Sequence, residues 1–256
     1  MLMNKYQFRL LSSGFHDCYY NMGLDEALLE SVAVGGQAAL RFYGWNPPAV
    51  SIGYFQRLNE EVDMEKARQL GFDIVRRISG GGAVLHNSEL TYSIIMPLDH
   101  PLAGKTIGES YQIICPALIR GLAILGIQGV FSGINDILVE GKKISGNAQT
   151  RRKSCLLQHG TILLNCDVEI MFEVLKVPEE KNKGKLISDA KDRVTSLSDF
   201  FGRNISYKDT ETAFIQGFKE SLGLMLNSTE PTSLEDKTAR ELAKAKFSAQ
   251  EWLYKK

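Results

Sequence analysis

The 256-residue chain carries 30 Lys+Arg against 30 Asp+Glu, for a formal net charge of zero, and 44% of its residues are hydrophobic. That composition supports a substantial core and excludes a generally cationic surface for nucleic acid or membranes, so any positively charged site has to be local. Cys18, Cys115, Cys155 and Cys166 form no CxxC pair and no Cys/His cluster, which reads as a reduced, cytoplasmic protein without structural disulfides, and no signal-peptide core or run of transmembrane length is present.

In chain order, residues 6–13 read as a first strand and 21–33 as an amphipathic helix with Asn21 as its N-cap. Residues 39–45 and 49–55 read as two strands joined by an Asn-Pro-Pro turn. A helix over 59–71 stops at Gly71. A strand over 72–79 leads into three consecutive glycines, and 89–97 is a β-branched, aromatic strand ending at a proline. The helical period over 107–126 contains Pro116, which predicts a kink or break. Residues 135–149 read as a hairpin turning at Glu140-Gly141, followed by an apolar strand over 155–165 and a helix ending at Pro178. The polar, lysine-rich stretch 179–193 reads as a mobile loop. Two more helices follow, over 208–223 and 233–247, the second opened by a capping-box-like pair, Ser233 and Asp236. No linker divides the chain, so residues 1–256 are taken as one domain. Hairpins interspersed with helices predict an α+β fold rather than a doubly wound parallel sheet.

The chemistry concentrates in three stretches. In "VRRISGGGAVLHN", residues 75–87, the glycines permit close backbone approach to an anion. Strand alternation sends Arg76 and Arg77 to opposite faces, so one of them faces the same cleft as the glycine amides. In "GKKISGNAQ", residues 141–149, Lys143 and Ser145 share a face while Gly146-Asn147-Ala148 are small enough to admit a ligand. Asn135 and Asp136 precede this hairpin, and Asp136 is a candidate for a divalent cation or for a turn cap. In "QHGTILL", His159 and Gly160 open a buried-looking strand. Cys155 follows a basic run but reads as a small buried residue, and no GxSxG or HExxH motif is present. These residues alone describe a pocket for a phosphate-bearing small molecule and do not name its reaction.

Together, "RRISGGGAVLHN", "GKKISGNAQ" and "QHGTILL" resemble the lipoate–protein ligase A family, within the biotin/lipoate ligase superfamily. The resemblance extends in order through "RFYGWNPPAVSIGYFQ", "LKVPEEKNKGK", "SDAKDRVTSL" and "EWLY". It implies mixed and antiparallel β-sheets flanked by helices, the class II synthetase-like core of biotin ligases. It also implies a reaction: ATP and Mg2+ convert lipoate or octanoate to an acyl-adenylate, and a lysine of a lipoyl domain or glycine-cleavage H protein then takes the acyl group. By the same match Lys143 is the catalytic cation. Arg77 with Gly80, Gly81 and Gly82 holds the acyl end and the phosphate, while Ala83, Val84 and His86 line the adenylate. Asn135 and Asp136 bind nucleotide and magnesium, Ala148 lies on the ligand side of its strand, and His159 and Gly160 sit against the acyl group. The apolar residues of 49–55 and 91–96 are expected to wall an acyl tunnel, and the loop 179–193 to close over the adenylate, with Lys185 and Arg193 either its contacts or solvated loop charges.

Two departures from the family pattern are visible. Asn87 stands where the family often has aspartate, and the chain stops at Lys256, just past Trp252. The latter implies a catalytic domain without the C-terminal accessory domain: either a separate small subunit supplies it, or the protein does a narrower job. The main rivals are ATP-independent octanoyl or lipoyl transferases of the same fold, which use a cysteine thioester, and a non-catalytic lipoate- or carrier-binding relative. The transferase cysteine is expected just before the lysine hairpin, where "FSGINDILVEGKK" has none. The expectation is therefore the ligase.

Overall fold

The computed structural model describes residues 5–176 and 192–255. Its first strand, β1 (Tyr6–His16), leads into α1 (Cys18–Ala33), then β2 (Ala39–Trp45) and β3 (Ala49–Ile52). Two short helices, α2 (Leu58–Glu61) and α3 (Met64–Gln69), precede β4 (Asp73–Arg76), β5 (Val84–His86) and β6 (Glu89–Pro97). After α4 (Ile107–Ile124) come β7 (Gly129–Ser132), β8 (Asp136–Val139), β9 (Lys142–Arg152), β10 (Cys155–Leu163) and α5 (Val168–Val174). The chain continues through α6 (Leu197–Phe201), α7 (Tyr207–Leu222), β11 (Leu224–Ser228), α8 (Ser233–Leu242) and α9 (Gln250–Leu253). Most of the expected loop over 179–193, Lys185 included, lies outside the described residues; Arg193 is described and exposed.

Eight strands form one sheet in the order β11-β1-β2-β6-β10-β9-β8-β7. Its β11-β1-β2 pairings are parallel and the remainder antiparallel. A second sheet has the order β4-β3-β5. The fold is thus α+β with mixed sheets flanked by helices, as expected. The two strands expected over 39–45 and 49–55 are present, the second shorter than expected at Ala49–Ile52, and they belong to different sheets.

Period-two alternation decides what each face of the large sheet covers. Leu40 and Phe42 of β2 and Leu90, Tyr92, Ile94 and Met96 of β6 pack under α4 and α7. Ala39, Tyr43, Ile95 and Leu157 pack under α1 and α8. That second face also carries Arg41, Ser93 and His159, all buried. Polar residues between two apolar layers are tolerated only where they bond one another, and here they mark the way to the site.

Several local expectations shift. Asp17, not Asn21, caps α1, accepting from the Tyr20 amide; Asn21 is buried one turn on and donates to the carbonyls of His16 and Gly44. The helix expected over 59–71 divides at Val62, whose backbone bridges to Leu175. The capping box of α8 is Thr232 with Glu235, one residue before the expected pair. α4 continues through Pro116: the ring is exposed while Ile114, Cys115, Ala117 and Leu118 are buried, and that packing offsets the lost backbone bond.

Candidate functional site

The β8–β9 hairpin turns at Glu140 (φ 50°) and Gly141 (φ 80°), the paired positive φ of a two-residue hairpin turn, as the sequence predicts. The register slips by one residue opposite Ile137 and Leu138, leaving Ile144 as the extra residue of a bulge. Bulges re-aim side chains. Lys143 faces the cavity, its Nζ 2.8 Å from Asp136 Oδ1, while Ile144 is fully buried. Gly146 lies below it: a Cβ there would come within 2.9 Å of Lys143 Cε and Nζ and push the lysine tip from its present position. Asn135 bonds the Asn147 carbonyl, and Asn147 Nδ2 donates back to the Asn135 carbonyl at 2.8 Å. Asn135 therefore ties the turn to β9.

The two arginines diverge as strand alternation predicts. Arg76 is fully buried on the far face and donates only to carbonyls: Gly53, Tyr54 and Gln56 on one side, Trp252 and Leu253 of the C-terminal helix on the other. Arg77 lines the cavity and holds the glycine turn by donating to the carbonyls of Gly80 (2.8 Å) and Gly82 (2.7 Å). It also reaches Ser51 Oγ and the Ser51 carbonyl, both at 3.1 Å. Burial lowers its pKa to about 10, which still leaves it charged at neutral pH. None of its hydrogen-bond partners is an acid, so the charge faces the cavity without a carboxylate bonded to it.

Two serine–histidine–carboxylate chains meet here. His86 Nε2 lies 2.8 Å from Ser51 Oγ, and its Nδ1 lies 2.6 Å from Glu89 Oε1. His159 Nε2 lies 2.6 Å from Ser79 Oγ, and its Nδ1 lies 3.4 Å from Asp25 Oδ2. Burial lowers the His86 pKa more than Glu89 raises it, so the ring is neutral near pH 7. Trp45 stacks on it, ring centroids 3.8 Å apart. Burial also opposes ionisation of Asp25, but hydrogen bonds from His159 and Arg41 outweigh it and hold its carboxyl low. Tyr43 and Ser93 donate to the same carboxylate.

Ser51, His86, Glu89 and His159 line one cavity of about 350 Å³, with Ser79 and Asp25 behind its wall, within the range of small-molecule sites. It contains Arg77, Gly81, Gly82, Ala83, Val84, His86, Asn135, Lys143, Ala148, His159 and Gly160, eleven of the positions the sequence singles out. Gly80 and Asp136 are not in its wall: Gly80 faces Phe55, and Asp136 sits behind Lys143 as its ion-pair partner. The apolar wall also differs from expectation. The alternate residues Val50, Ile52, Ile94 and Met96 are buried in the cores, and Met22, Tyr43, Trp45, Leu163, Met171 and Leu175 line the cavity instead. Sequence reading missed Ser51, which only the fold brings to His86, and Glu89, its neighbour three residues on. Glu89 supplies the carboxylate that Asn87 lacks, and its Oε2 accepts the Asn87 amide at 3.0 Å. Cys155 is buried, as expected. No group of three metal-ligating side chains occurs among the described residues.

The fold holds a cavity with an apolar wall on one side and Arg77 and Lys143 on the other. The chain belongs to the lipoyl protein ligase A/B catalytic domain family, whose model matches residues 17–219. It is 37% identical to the octanoyltransferase LipM of Geobacillus kaustophilus over 99% of this chain and 100% of the relative, and 36% identical to that of Staphylococcus aureus over 97% and 99%. Among solved structures it resembles the bi-partite lipoate protein ligase of Thermoplasma acidophilum (TM-score 0.89, 32% identity, 97% of this chain and 96% of that one). It also resembles a lipoate-protein ligase A bound with ATP (TM-score 0.84, 30% identity, 97% and 98%).

These comparisons correct the functional expectation. The ligases share the fold, but the curated relatives that share more of the sequence, over its full length, are named octanoyltransferases. An acyl group that arrives on a thioester is already activated, so the expected ligase reaction, its acyl-adenylate, and ATP and Mg2+ as cofactors give way. Asp136, the expected magnesium ligand, is paired with Lys143. No helix among the described residues is long and apolar enough to cross a membrane.

Proposed function

We propose that this chain transfers an octanoyl-type acyl group from a thioester donor to a lysine of a lipoyl-domain or H-protein acceptor, with residues 1–256 acting as one unit. The observation that carries this reading is the cavity, in which apolar side chains, among them Met22, Trp45, Leu163, Met171 and Leu175, and the cationic pair Arg77 and Lys143 line one partly open space. The apolar wall takes the alkyl chain. Burying its roughly six methylenes contributes about 5 kcal/mol at ~0.8 kcal/mol each. The carbonyl end then lies among the charged groups.

Attack on a thioester carbonyl develops negative charge on its oxygen, and a preorganised cation stabilises that charge more than it stabilises the ground state. Lys143, held by Asp136 and the bulge, is positioned for this role. The glycine turn, braced by Arg77, brings backbone close to the same region. The names of the curated relatives support the octanoyl group, and the T. acidophilum ligase, whose structure is described together with its E2 lipoyl domain, supports a lipoyl-domain acceptor.

The test is to incubate the purified chain with an octanoyl thioester and an apo lipoyl domain, without nucleotide, and to follow octanoylation of the domain by intact mass. Product is expected under these conditions. Product that forms only from octanoate with ATP and Mg2+ overturns the reading.

A further inference from the structure

A thioester donor is more than its acyl chain. With the carbonyl end among the charged groups of the cavity, whatever bears the sulfur leaves over the rim. Strand β9 runs that way. Period-two alternation puts Ala148, Thr150 and Arg152 on one face of it. Ala148 lines the cavity, whereas Arg152, partly exposed, lies beyond its wall. At the rise of an extended strand, the step from Ala148 to Arg152 covers about 13 Å.

Arg152 ends on Tyr54, its guanidinium carbon 4.6 Å from the centre of the ring. Lys255, two residues past α9, reaches the same ring: its Nζ lies 3.0 Å from the Tyr54 hydroxyl and 5.1 Å from the ring centre. The hydrogen bond from Lys255, then the charges of Lys255 and Arg152, hold the Tyr54 phenol below its usual pKa. Among the described residues no carboxylate forms an ion pair with either cation. Two like charges drawn to one partly exposed ring repel each other, and an anion beside them offsets that cost.

The backbone under this cluster is fixed. The Tyr54 amide donates to the Ser79 carbonyl at 2.8 Å. The buried Arg76 donates both to the Tyr54 carbonyl at 3.0 Å and to the Leu253 carbonyl at 2.7 Å, tying the Tyr54 turn to the helix that precedes Lys255. Phe55, next in sequence and 83% exposed, faces Gly80 of the glycine turn.

We propose that Arg152, Lys255 and the Tyr54 hydroxyl form a subsite for a phosphate on the thioester donor, so that the preferred donor bears its acyl group on a phosphorylated pantetheine arm; the proposal rests on the transfer reading above. Guanidinium, ammonium and phenol all donate to phosphate oxygens. The arm has the matching length. About thirteen bonds separate its sulfur from its phosphorus, and an extended chain advances about 3.6 Å for every three bonds, so it spans about 15 Å.

The experiment measures transfer by the full chain to an apo lipoyl domain from octanoyl-pantetheine and from octanoyl-4′-phosphopantetheine. The phosphorylated donor is expected to show a KM about tenfold lower, with kcat alike. R152A and K255A should each raise KM for that donor several-fold, and the double variant should abolish the preference, while KM and kcat for octanoyl-pantetheine stay unchanged. R152K should recover part of the preference. K237A, which removes an exposed lysine of α8, should leave both donors unaffected. Coenzyme A and carrier-protein thioesters of octanoate, run on the same variants, distinguish the sources of the phosphate: the subsite serves the donor whose KM the double variant raises. A wild-type chain that uses the two pantetheine donors equally, or folded variants that impair both equally, overturns the subsite and leaves the transfer reading standing. A wild-type chain that transfers from none of these thioesters overturns the transfer reading itself.

Discussion

Lys143 Nζ lies 2.8 Å from Asp136 Oδ1 across the foot of the β8–β9 hairpin, both side chains partly open to solvent. An ion pair this exposed adds at most about 1 kcal/mol to stability, so its importance is positional: it holds the ammonium at the cavity. Lys143→Ala should therefore lower octanoyl transfer by about 100-fold or more while leaving the melting temperature within a few degrees of wild type. Unimpaired turnover in the variant removes Lys143 from the chemistry.

The glycine turn has one position that tolerates no side chain. Gly81 has φ +93°, and a Cβ there would lie 2.9 Å from Arg77 Nη2. Gly81→Ala combines backbone strain of about 1–2 kcal/mol with displacement of the guanidinium that braces Gly80 and Gly82. A drop in melting temperature of about 3–6 °C should accompany a raised KM for the acyl thioester. A drop in stability with KM unchanged would mean that Arg77 does not position the turn for substrate.

Arg76 joins the strand before the glycines to the C-terminal helix through carbonyls alone. Arg76→Ala leaves several buried carbonyls without a donor, at about 1–3 kcal/mol each. A loss of about 3 kcal/mol or more in urea unfolding is expected, and Arg76→Lys, with fewer donors in a different geometry, should recover only part of it.

Glu235 is buried, and burial resists its ionisation. The bidentate Arg9 contact (2.7 and 2.9 Å) and the Thr232 amide outweigh that and hold its pKa at about 2. A pKa depressed in the folded state adds stability above the unfolded value near 4.5, lost as pH falls toward 2. Glu235→Gln should be less stable than wild type by about 3 kcal/mol at pH 7, and the gap should narrow as the solution is acidified from pH 4.5 to pH 2. A gap independent of pH would show that the ionised pair is not its source.

Much of the molecule was readable in the residues themselves. Eight of the strands that build the sheets, the hairpin turning at Glu140-Gly141 and the divergence of Arg76 and Arg77 follow from period-two alternation and turn chemistry, which act over a few residues; the short strands β5, β7 and β11 did not show in the sequence. The family motifs identified most of the cavity wall for the same reason: they are contiguous. The wall at Met22, Tyr43, Trp45, Met171 and Leu175 was not readable, because a buried apolar residue looks the same in sequence whether it faces a core or a cavity. The direction of the chemistry was not readable either: the chain shares its fold with ligases, and the absence of a cysteine before the hairpin pointed to the ligase until full-length relatives named as octanoyltransferases turned it.

By itself, then, the sequence determined the local elements and the glycine, lysine and histidine motifs, since each depends on neighbours along the chain. Only the tertiary structure set Ser51 against His86, and Asp25 against His159, across spacings of 35 and 134 residues. Those pairings depend on how two sheets and α1 come together, and on the requirement that polar groups buried between apolar layers satisfy one another.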